Sequence, residues 1–258
     1  MSFIKGLKEI YLLFIKIGIR KKRTILLTLL SFTPVLLLLI AKIIEITKPH
    51  SSISASHLYS NIIVAFYIQF IIGILSIFYG SSVIDEEVEG KTLIYLFSKP
   101  ISKSSIILGK FLSYISIIVI TIMSGLIISF IIAYINAYIS HKIIIMFFKY
   151  MIASFFAIMA YTSLFTMLAT FFKRTAIVGL LFIFGWESII NYMPGKTQKL
   201  TIIHYVKSLI PQTAVNRNFL LFHLEPSSAL TAIIVLSLIS IISLIIGIWV
   251  FKYKEYII

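Results

Sequence analysis

The sequence contains no cysteine, and charged side chains make up only 12% of its 258 residues. The absence of cysteine excludes disulfides, thiol catalysis and cysteine-based metal or redox centres. Soluble domains carry about 25% charged residues, so a chain with half that share has too little polar surface to cover a globule. Intrinsic disorder and a cytosolic enzyme are therefore both disfavoured.

Acidic residues are the scarcest charge, with 9 Asp and Glu against 23 Lys and Arg, which gives a net charge of +14. In a soluble protein such an excess would indicate a nucleic-acid partner. Here 60% of the residues are hydrophobic and the mean hydropathy is +1.06. The surface of a lipid bilayer explains the positive charge better, so we predict an all-α polytopic membrane protein with no nucleic-acid partner.

Six apolar runs are long enough to cross the roughly 30 Å hydrocarbon core, which takes about 20 helical residues. Because six is an even number, both ends of the chain lie on one side. The third and fourth runs exceed what a bilayer needs, so we expect them to tilt or to extend into water at one end. The predicted spans are 24–46, 62–84, 106–137, 143–172, 175–193 and 229–251.

Lys and Arg residues are unevenly distributed between the two sides, with fifteen of the 23 near span ends that share one side. Positive residues are retained in the cytoplasm, so we predict a multi-pass protein of the cytoplasmic membrane with both termini cytoplasmic. We predict that residues 1–258 form a single transmembrane domain. Its parts outside the spans are a leader at 1–23, a cytoplasmic loop at 85–105 and an extracytoplasmic loop at 194–228.

Two segments outside the spans show helical periodicity. In the leader, apolar residues from Phe3 to Gly18 fall on one face and Lys5, Lys8 and Glu9 largely on the other, which predicts an amphipathic helix in the cytoplasmic interface. The alternative is that the first span begins early. In the outer loop, 202–210 predicts a second amphipathic helix, resting on or dipping into the outer leaflet, which either acts as a gate or caps the bundle.

Four of the nine acids crowd into five positions directly after the second span; they are Asp85, Glu86, Glu87 and Glu89. Carboxylates at the C-terminal end of a helix oppose its dipole, whereas the N-terminus of a new helix favours them. We therefore predict a short cytoplasmic helix that begins at Asp85. Gly90 would allow a close approach or a kink, and Leu93 is apolar enough to pack on a neighbour.

Three stretches that start in this loop follow one another as Asp85–Leu93 (DEEVEGKTL), Phe97–Lys103 (FSKPISK) and Leu108–Leu112 (LGKFL). This ordered series closely resembles the permease subunits of type-2 ATP-binding cassette (ABC) exporters. In that family an acidic stretch with Glu-x-Gly-Thr-Leu leads into Leu-x-x-Pro-Ile-Ser-Arg and then Leu-Gly-Lys. This chain departs from the pattern at Lys91, which separates Gly90 from Thr92, and at Lys103, which replaces Arg.

The resemblance implies a coupling helix in this loop that docks into a groove on a separate cytosolic ABC ATP-binding subunit. It also implies a second permease copy, as a homodimer or heterodimer, and ATP and Mg on the partner ATPase with no cofactor on this chain. Members of the family move drugs, lipids, peptides, ions or polysaccharides, and nothing in the sequence selects a substrate. Carried over residue by residue, the partner-binding positions are Asp85, Glu86, Glu87, Glu89, Gly90, Leu93 and Pro100.

A phosphate-binding loop requires Gly-x-x-x-x-Gly-Lys-Ser/Thr after a strand. Two segments of the chain match only the last three positions of this motif. Gly90-Lys91-Thr92 has Asp85 at the first glycine position, where a carboxylate would repel phosphate. Gly195-Lys196-Thr197 has Ile190 of a predicted span there. We therefore predict a transporter subunit without its own ATPase site rather than an enzyme.

Two other functional classes remain as alternatives. An intramembrane protease of the CAAX-processing type is favoured by Glu86-Glu87 and by Phe219 with His223, although these groups fall on opposite sides of the bilayer. An ion-coupled secondary transporter or channel would need charges deep in its spans, where Glu187 is the candidate. Glu187 either lines the substrate path or is a carboxylate near the outer interface within reach of water. The five histidines have no metal-ligand spacing, so we predict neither a metal site nor a catalytic residue.

Overall fold

The computed structural model describes residues 3–47, 55–89, 102–135, 138–193, 196–211 and 226–254. Within these ranges the regular structure is helical, and none of the described residues lies in a strand. Among the described residues, five helices are long and apolar enough to cross a membrane, and a shorter apolar helix covers Thr175–Asn191. The predicted all-α polytopic architecture is confirmed.

The N-terminal third begins with a helix that is separate from the first span. Helix α1 covers Phe3–Arg20, and α2, at Lys22–Ser31, and α3, at Thr33–Thr47, together form the first span. Lys21 between α1 and α2 has extended backbone angles, so the alternative that the first span simply begins early is wrong. Pro34 lies in the first turn of α3, where its missing N–H costs no helical bond.

The second span contains a wide turn in its middle. Helix α4 at Ala55–Ile62 continues into a π-helical segment, π1, at Ile63–Ile71, and then into α5 at Ile72–Ser82. The short helix α6 follows at Asp85–Glu89. Since π-helical turns are rare and occur frequently at functional sites, π1 is a candidate functional region of this span.

The third and fourth spans are the longest helices. Helix α7 at Lys103–Ala133 and helix α8 at His141–Phe171 each have 31 residues, which corresponds to about 46 Å at 1.5 Å per residue. Ser102 caps α7 by accepting a hydrogen bond from the backbone N–H of Ser105 at 3.2 Å. Both helices exceed the hydrocarbon thickness, as the sequence predicts.

The C-terminal third contains the fifth and sixth spans and the helices between them. The fifth span covers Thr175–Asn191 and is two residues shorter than the predicted 175–193. Its length of about 26 Å lies near the lower limit for crossing a bilayer. Its elements and those that follow are α9 at Thr175–Leu180, π2 at Leu181–Glu187, α10 at Ser188–Tyr192, a 3₁₀ helix at Lys196–Leu200, α11 at Ile202–Leu209 and α12 at Ala229–Tyr253.

Small residues bring the second and fourth spans into close contact. The hydroxyl of Thr166 donates to the carbonyl of Gly80 at 3.2 Å, and that of Thr162 donates to Ser76 Oγ at 3.2 Å. A Cβ added at Gly80 would lie 2.9 Å from the carbonyl oxygen of Thr162. The spacing of Ser76 and Gly80 therefore serves close helix packing, as small residues commonly do in membranes.

The ends of the helices that the sequence assigns to the cytoplasm meet at one end of the bundle. Lys254, after the sixth span, donates to the carbonyl of Thr170 near the end of the fourth. Lys103, at the start of the third span, donates to the carbonyl of Lys252 at 3.4 Å. This shared end is called the basic end below.

Replacing Gly80 with alanine is expected to lower the stability of the detergent-purified protein by about 1–3 kcal/mol, because the new methyl group overpacks against backbone atoms. The measurement is the midpoint of thermal unfolding. Gly185→Ala is the matched control, since no atom lies within 4 Å of the added Cβ position there. Equal midpoints for the two variants would contradict a close contact at Gly80.

Candidate functional site

Helix α6 places three consecutive carboxylates at the basic end, directly after the second span. Asp85, Glu86 and Glu87 form its first turn, where the partial positive charge of a helix N-terminus favours acids. The predicted helix beginning at Asp85 is thus confirmed as far as Glu89. The three side chains contact different residues, which belong to several helices.

Glu86 binds the joint between α1 and α2. Lys21 Nζ donates to its Oε2 at 2.5 Å, Arg23 Nη2 forms an ion pair with its Oε1 at 2.8 Å, and the hydroxyl of Tyr114 in α7 donates to Oε2 at 2.8 Å. Burial alone would raise the pKa of Glu86, but the hydrogen bond and charge of Lys21 and the charge of Arg23 hold it below its usual range. The side chain is therefore ionised at neutral pH.

Glu87 pairs with a lysine inside the third span. Lys110 Nζ donates to Glu87 Oε1 at 3.0 Å, and the lysine side chain is fully buried. The same ammonium lies 4.6 Å from the ring centroid of Phe14 in α1, which adds a cation–π attraction. A buried charge requires such compensation, because taking an ion out of water costs several kcal/mol.

Asp85 reaches the start of the fifth span. The hydroxyl of Thr175, the first residue of α9, donates to Asp85 Oδ1 at 3.2 Å. Three successive residues of α6 thus bind the α1–α2 joint, the third span and the fifth span. We call this group the ionic cluster; its members are Asp85, Glu86, Glu87, Lys21, Arg23, Lys110, Tyr114 and Thr175.

Helix α1 packs on the basic-end portion of α7 through small residues and shared hydrogen bonds. A Cβ on Gly109 would lie 3.1 Å from the carbonyl oxygen of Leu7. The hydroxyl of Ser113 donates to the carbonyl of Tyr11 at 2.8 Å, and that of Ser105 to the carbonyl of Phe3 at 3.2 Å. The predicted amphipathic helix is confirmed; its buried stripe is Gly6, Ile10, Phe14 and Gly18.

The assignment of this loop to a partner interface stays a prediction. Asp85, Glu86 and Glu87 are engaged within the chain, which is a role that the sequence did not indicate. The position of Lys110 indicates that a partner exists, since a charge inside a span needs one. No local sequence pattern identifies Glu87 as that partner. The side chain of Glu89 and the predicted positions Gly90, Leu93 and Pro100 lie outside the described residues.

At the opposite end of the bundle, Glu187 anchors helix α11. Its carboxylate accepts the backbone N–H groups of Ile202 at 2.8 Å and Ile203 at 3.1 Å, and the hydroxyl of Tyr161 at 2.7 Å. The first N–H groups of a helix have no partner within it, and a carboxylate there forms charge-assisted bonds. Since Glu187 is only 3% exposed, the expectation of a carboxylate within reach of water is wrong.

Helix α11 itself is a buried element. Lys207 is 1% exposed and donates to Asn191 Oδ1 at 3.1 Å. Burial lowers the pKa of Lys207 to about 7, against the opposing effect of the negative charge of Glu187. Ile202, Val206 and other residues of α11 join the main apolar core, packed between α8 and α12. The expectation of a helix resting on the outer leaflet is therefore wrong, because both its polar and its apolar faces find partners within the bundle. The alternative, that it dips into that leaflet, stays a prediction.

The two π-helical segments meet beside Glu187. The rings of Phe70 in π1 and Phe184 in π2 stack with centroids 6.2 Å apart, and a narrow cleft bordered by these segments reaches Glu187 and Tyr161. Among the described residues no group of three or more His, Asp or Glu could hold a metal ion. Glu187 therefore tethers α11 to the fifth span. The tether lies next to the π-helical turns of the second and fifth spans.

Replacing Glu87 with glutamine is expected to destabilise the protein by roughly 3 kcal/mol, because Lys110 remains buried without its counter-charge. The double variant Glu87→Gln/Lys110→Met removes both charges and is expected to recover most of that loss. Thermal unfolding of the purified protein measures both. A double variant as unstable as Glu87→Gln alone would show that the pair is not coupled.

Replacing Glu187 with glutamine removes one of its acceptor oxygens and is expected to loosen α11. Because the chain has no native cysteine, a single cysteine at Val206, which is fully buried, reports this directly through its rate of maleimide labelling. We expect at least a ~5-fold faster rate, equivalent to about 1 kcal/mol of lost docking free energy. Glu45→Gln is the control, since Glu45 pairs with Lys42 on the same helix. Unchanged labelling would exclude the tether.

Comparison with known proteins agrees with the motif in the loop. The family model described as "ABC-2 family transporter protein" matches residues 15–256. A search of curated proteins gives no significant match. The matched region includes all six apolar helices, the ionic cluster and the Glu187 tether. Because the match covers nearly the whole chain, this protein belongs to the ABC-2 transporter family and is a membrane-spanning ABC-type permease.

Proposed function

We propose that this permease is the transmembrane subunit of an exporter that moves its substrate across the cytoplasmic membrane, using ATP hydrolysed by a separate cytosolic ABC subunit. That subunit binds ATP and Mg, and two permease chains, identical or different, form the translocating unit. The ionic cluster carries the proposal, because it lies directly before the loop that resembles the coupling element of this family.

The mechanism follows from what α6 contacts. A motor subunit can shift the equilibrium between two permease states only by contacting them differently. A displacement of the loop at 90–101 acts on α6, and Glu86 and Glu87 transmit it to the α1–α2 joint and to α7. Asp85 transmits it through Thr175 to the fifth span. One cytoplasmic movement would thus reorient the first, third and fifth spans together.

The orientation rests on charge and on the meeting of helix ends. Fifteen of the 23 Lys and Arg residues fall at span ends assigned to one side, and the positive-inside rule places that side in the cytoplasm. The contacts of Lys103 and Lys254 are consistent with a single basic end. We therefore place both termini and α6 in the cytoplasm, and α11 at the extracytoplasmic end.

The outer tether supports a role for Glu187 near the end of the substrate path. Substrate leaving between the second and fifth spans would pass the two π-helical segments, which lie beside Glu187 and α11. Opening there would require the bonds from Ile202 and Ile203 to Glu187 to break. In this proposal Glu187 holds the outer end closed, and its free carboxylate borders the path once α11 moves.

The protease alternative lacks support from the geometry of its acidic pair. A general base needs a carboxylate free to take a proton, whereas Glu86 is held by Lys21 and Arg23 and Glu87 by Lys110. The second element of that alternative, Phe219 with His223, lies outside the described residues.

Replacing Leu93 with aspartate is expected to reduce co-purification of the ABC ATP-binding subunit at least tenfold, which corresponds to a loss of about 1.4 kcal/mol. The physical reason is that a charge would replace an apolar contact in the partner groove. The measurement is the amount of ATPase retained when tagged permease is purified after co-expression.

Leu200→Asp is the matched control, because Leu200 is 67% exposed and lies at the end assigned to the outer side. It should leave co-purification unchanged. Full retention of the ATPase by a folded Leu93→Asp permease would exclude this loop as the docking element.

A further inference from the structure

A lateral groove with a volume of about 380 Å³ opens between α2 and α7, beside the end of α1. This volume lies within the range of sites that hold small molecules in proteins. Its outer walls are strongly exposed apolar side chains, with Leu29 63% and Ile120 68% exposed. The lining residues are Ile19, Thr24, Ile25, Thr28, Leu29, Ile117, Ile120 and Thr121.

The groove lies at a defined depth in the bundle. Thr24 to Leu29 form the first two turns of the first span, which starts at Lys22. At 1.5 Å per residue the groove begins within about 5 Å of that start. On the side of α2 the groove therefore lies near the headgroups of the basic-end leaflet, and its α7 wall, Ile117, Ile120 and Thr121, extends toward the acyl chains.

Three exposed cations lie close in sequence to the residues that line the groove. Residues three or four apart share a helix face, so Lys16 of α1 shares one face with Ile19 and with Arg20. By the same spacing Lys22 lies on the face of α2 that carries Ile25. All three cations are exposed, and none of them is within ion-pair distance of a carboxylate in the described part of the chain.

Between residues 20 and 23, the cations that bind Glu86 alternate with cations that are exposed. Lys21 and Arg23 turn inward to Glu86, whereas Arg20 and Lys22 turn outward. An apolar groove with a positive rim is complementary to an amphiphile that has an anionic head. In the leaflet where Lys and Arg are retained, the abundant molecules of that kind are anionic phospholipids.

We propose that this groove is a binding site for an anionic phospholipid of the cytoplasmic leaflet. One acyl chain lies along Ile25, Leu29 and Ile120, and the phosphate meets Lys16, Arg20 and Lys22. A lipid bound there clamps the outer side of the α1–α2 joint, while Glu86 holds its inner side. The site does not depend on the proposed partnership with an ATPase.

Native mass spectrometry of the full-length, detergent-purified permease tests the proposal. The protein is delipidated and titrated with phosphatidylglycerol or with phosphatidylcholine of the same acyl chains. We expect one phosphatidylglycerol to bind at least ~10-fold more tightly than phosphatidylcholine, and the preference to weaken as salt is raised. Equal affinity for the two lipids in the wild-type protein would overturn the proposal, whatever the variants do.

Two variants separate a built site from general attraction to a positive surface. Lys16→Gln/Arg20→Gln/Lys22→Gln removes the rim, and Thr28→Trp fills the groove while every charge is kept. Each is expected to abolish the preference for phosphatidylglycerol. The matched control Lys142→Gln/Lys149→Gln/Lys196→Gln removes the same charge from exposed positions assigned to the other side, and it should keep the preference.

The outcomes distinguish the possibilities. If the rim variant and the control variant lose the preference equally, the attraction comes from net charge and the site is excluded. If Thr28→Trp still binds phosphatidylglycerol as the wild type does, the groove does not hold the acyl chain and the proposal fails. Size-exclusion profiles and circular dichroism confirm that each variant is folded before it is titrated.

Discussion

The buried pair of Glu87 and Lys110 is the interaction on which the basic end of this permease depends. A fully buried ammonium in a long apolar helix is tolerated only because a carboxylate lies 3.0 Å away. That requirement fixes α6 against α7, and with α6 in place Glu86 and Asp85 can reach the α1–α2 joint and the fifth span. An ion pair that contributes little net stability thus determines which helices are joined at this end.

The two ends of the molecule use carboxylates in contrasting ways. At the basic end, Glu86 and Glu87 neutralise cations from other helices, so the bonds are between side chains. At the opposite end, Glu187 binds backbone N–H groups at the start of α11 and so holds a whole helix rather than a residue. The first arrangement joins neighbouring spans to one another, and the second joins a helix to the fifth span.

Much of the fold could be predicted because the length of an apolar run alone identifies a span, as at Lys103–Ala133. The partners of the acids could not, since Lys21 and Glu86 are 65 residues apart and no local pattern encodes such a pairing. The anchoring role of Glu187 could not be predicted either, because its partners are the backbone N–H groups of Ile202 and Ile203. Almost any residue at those positions would supply the same groups. The resemblance of the loop at 85–105 to a family motif was recognisable only from the ordered series of its residues.

The packing of α1 on α7 has a consequence for how the protein is made. Tyr11 and its hydrogen-bond partner Ser113 are 102 residues apart, so at roughly 5–20 residues per second the leader waits about 5–20 s for its binding surface to be synthesised. During that interval the exposed apolar side chains of α1, such as Leu12 and Leu13, can keep it at the membrane surface. The bilayer thus acts as a temporary partner for the helix until the nascent chain supplies the permanent one.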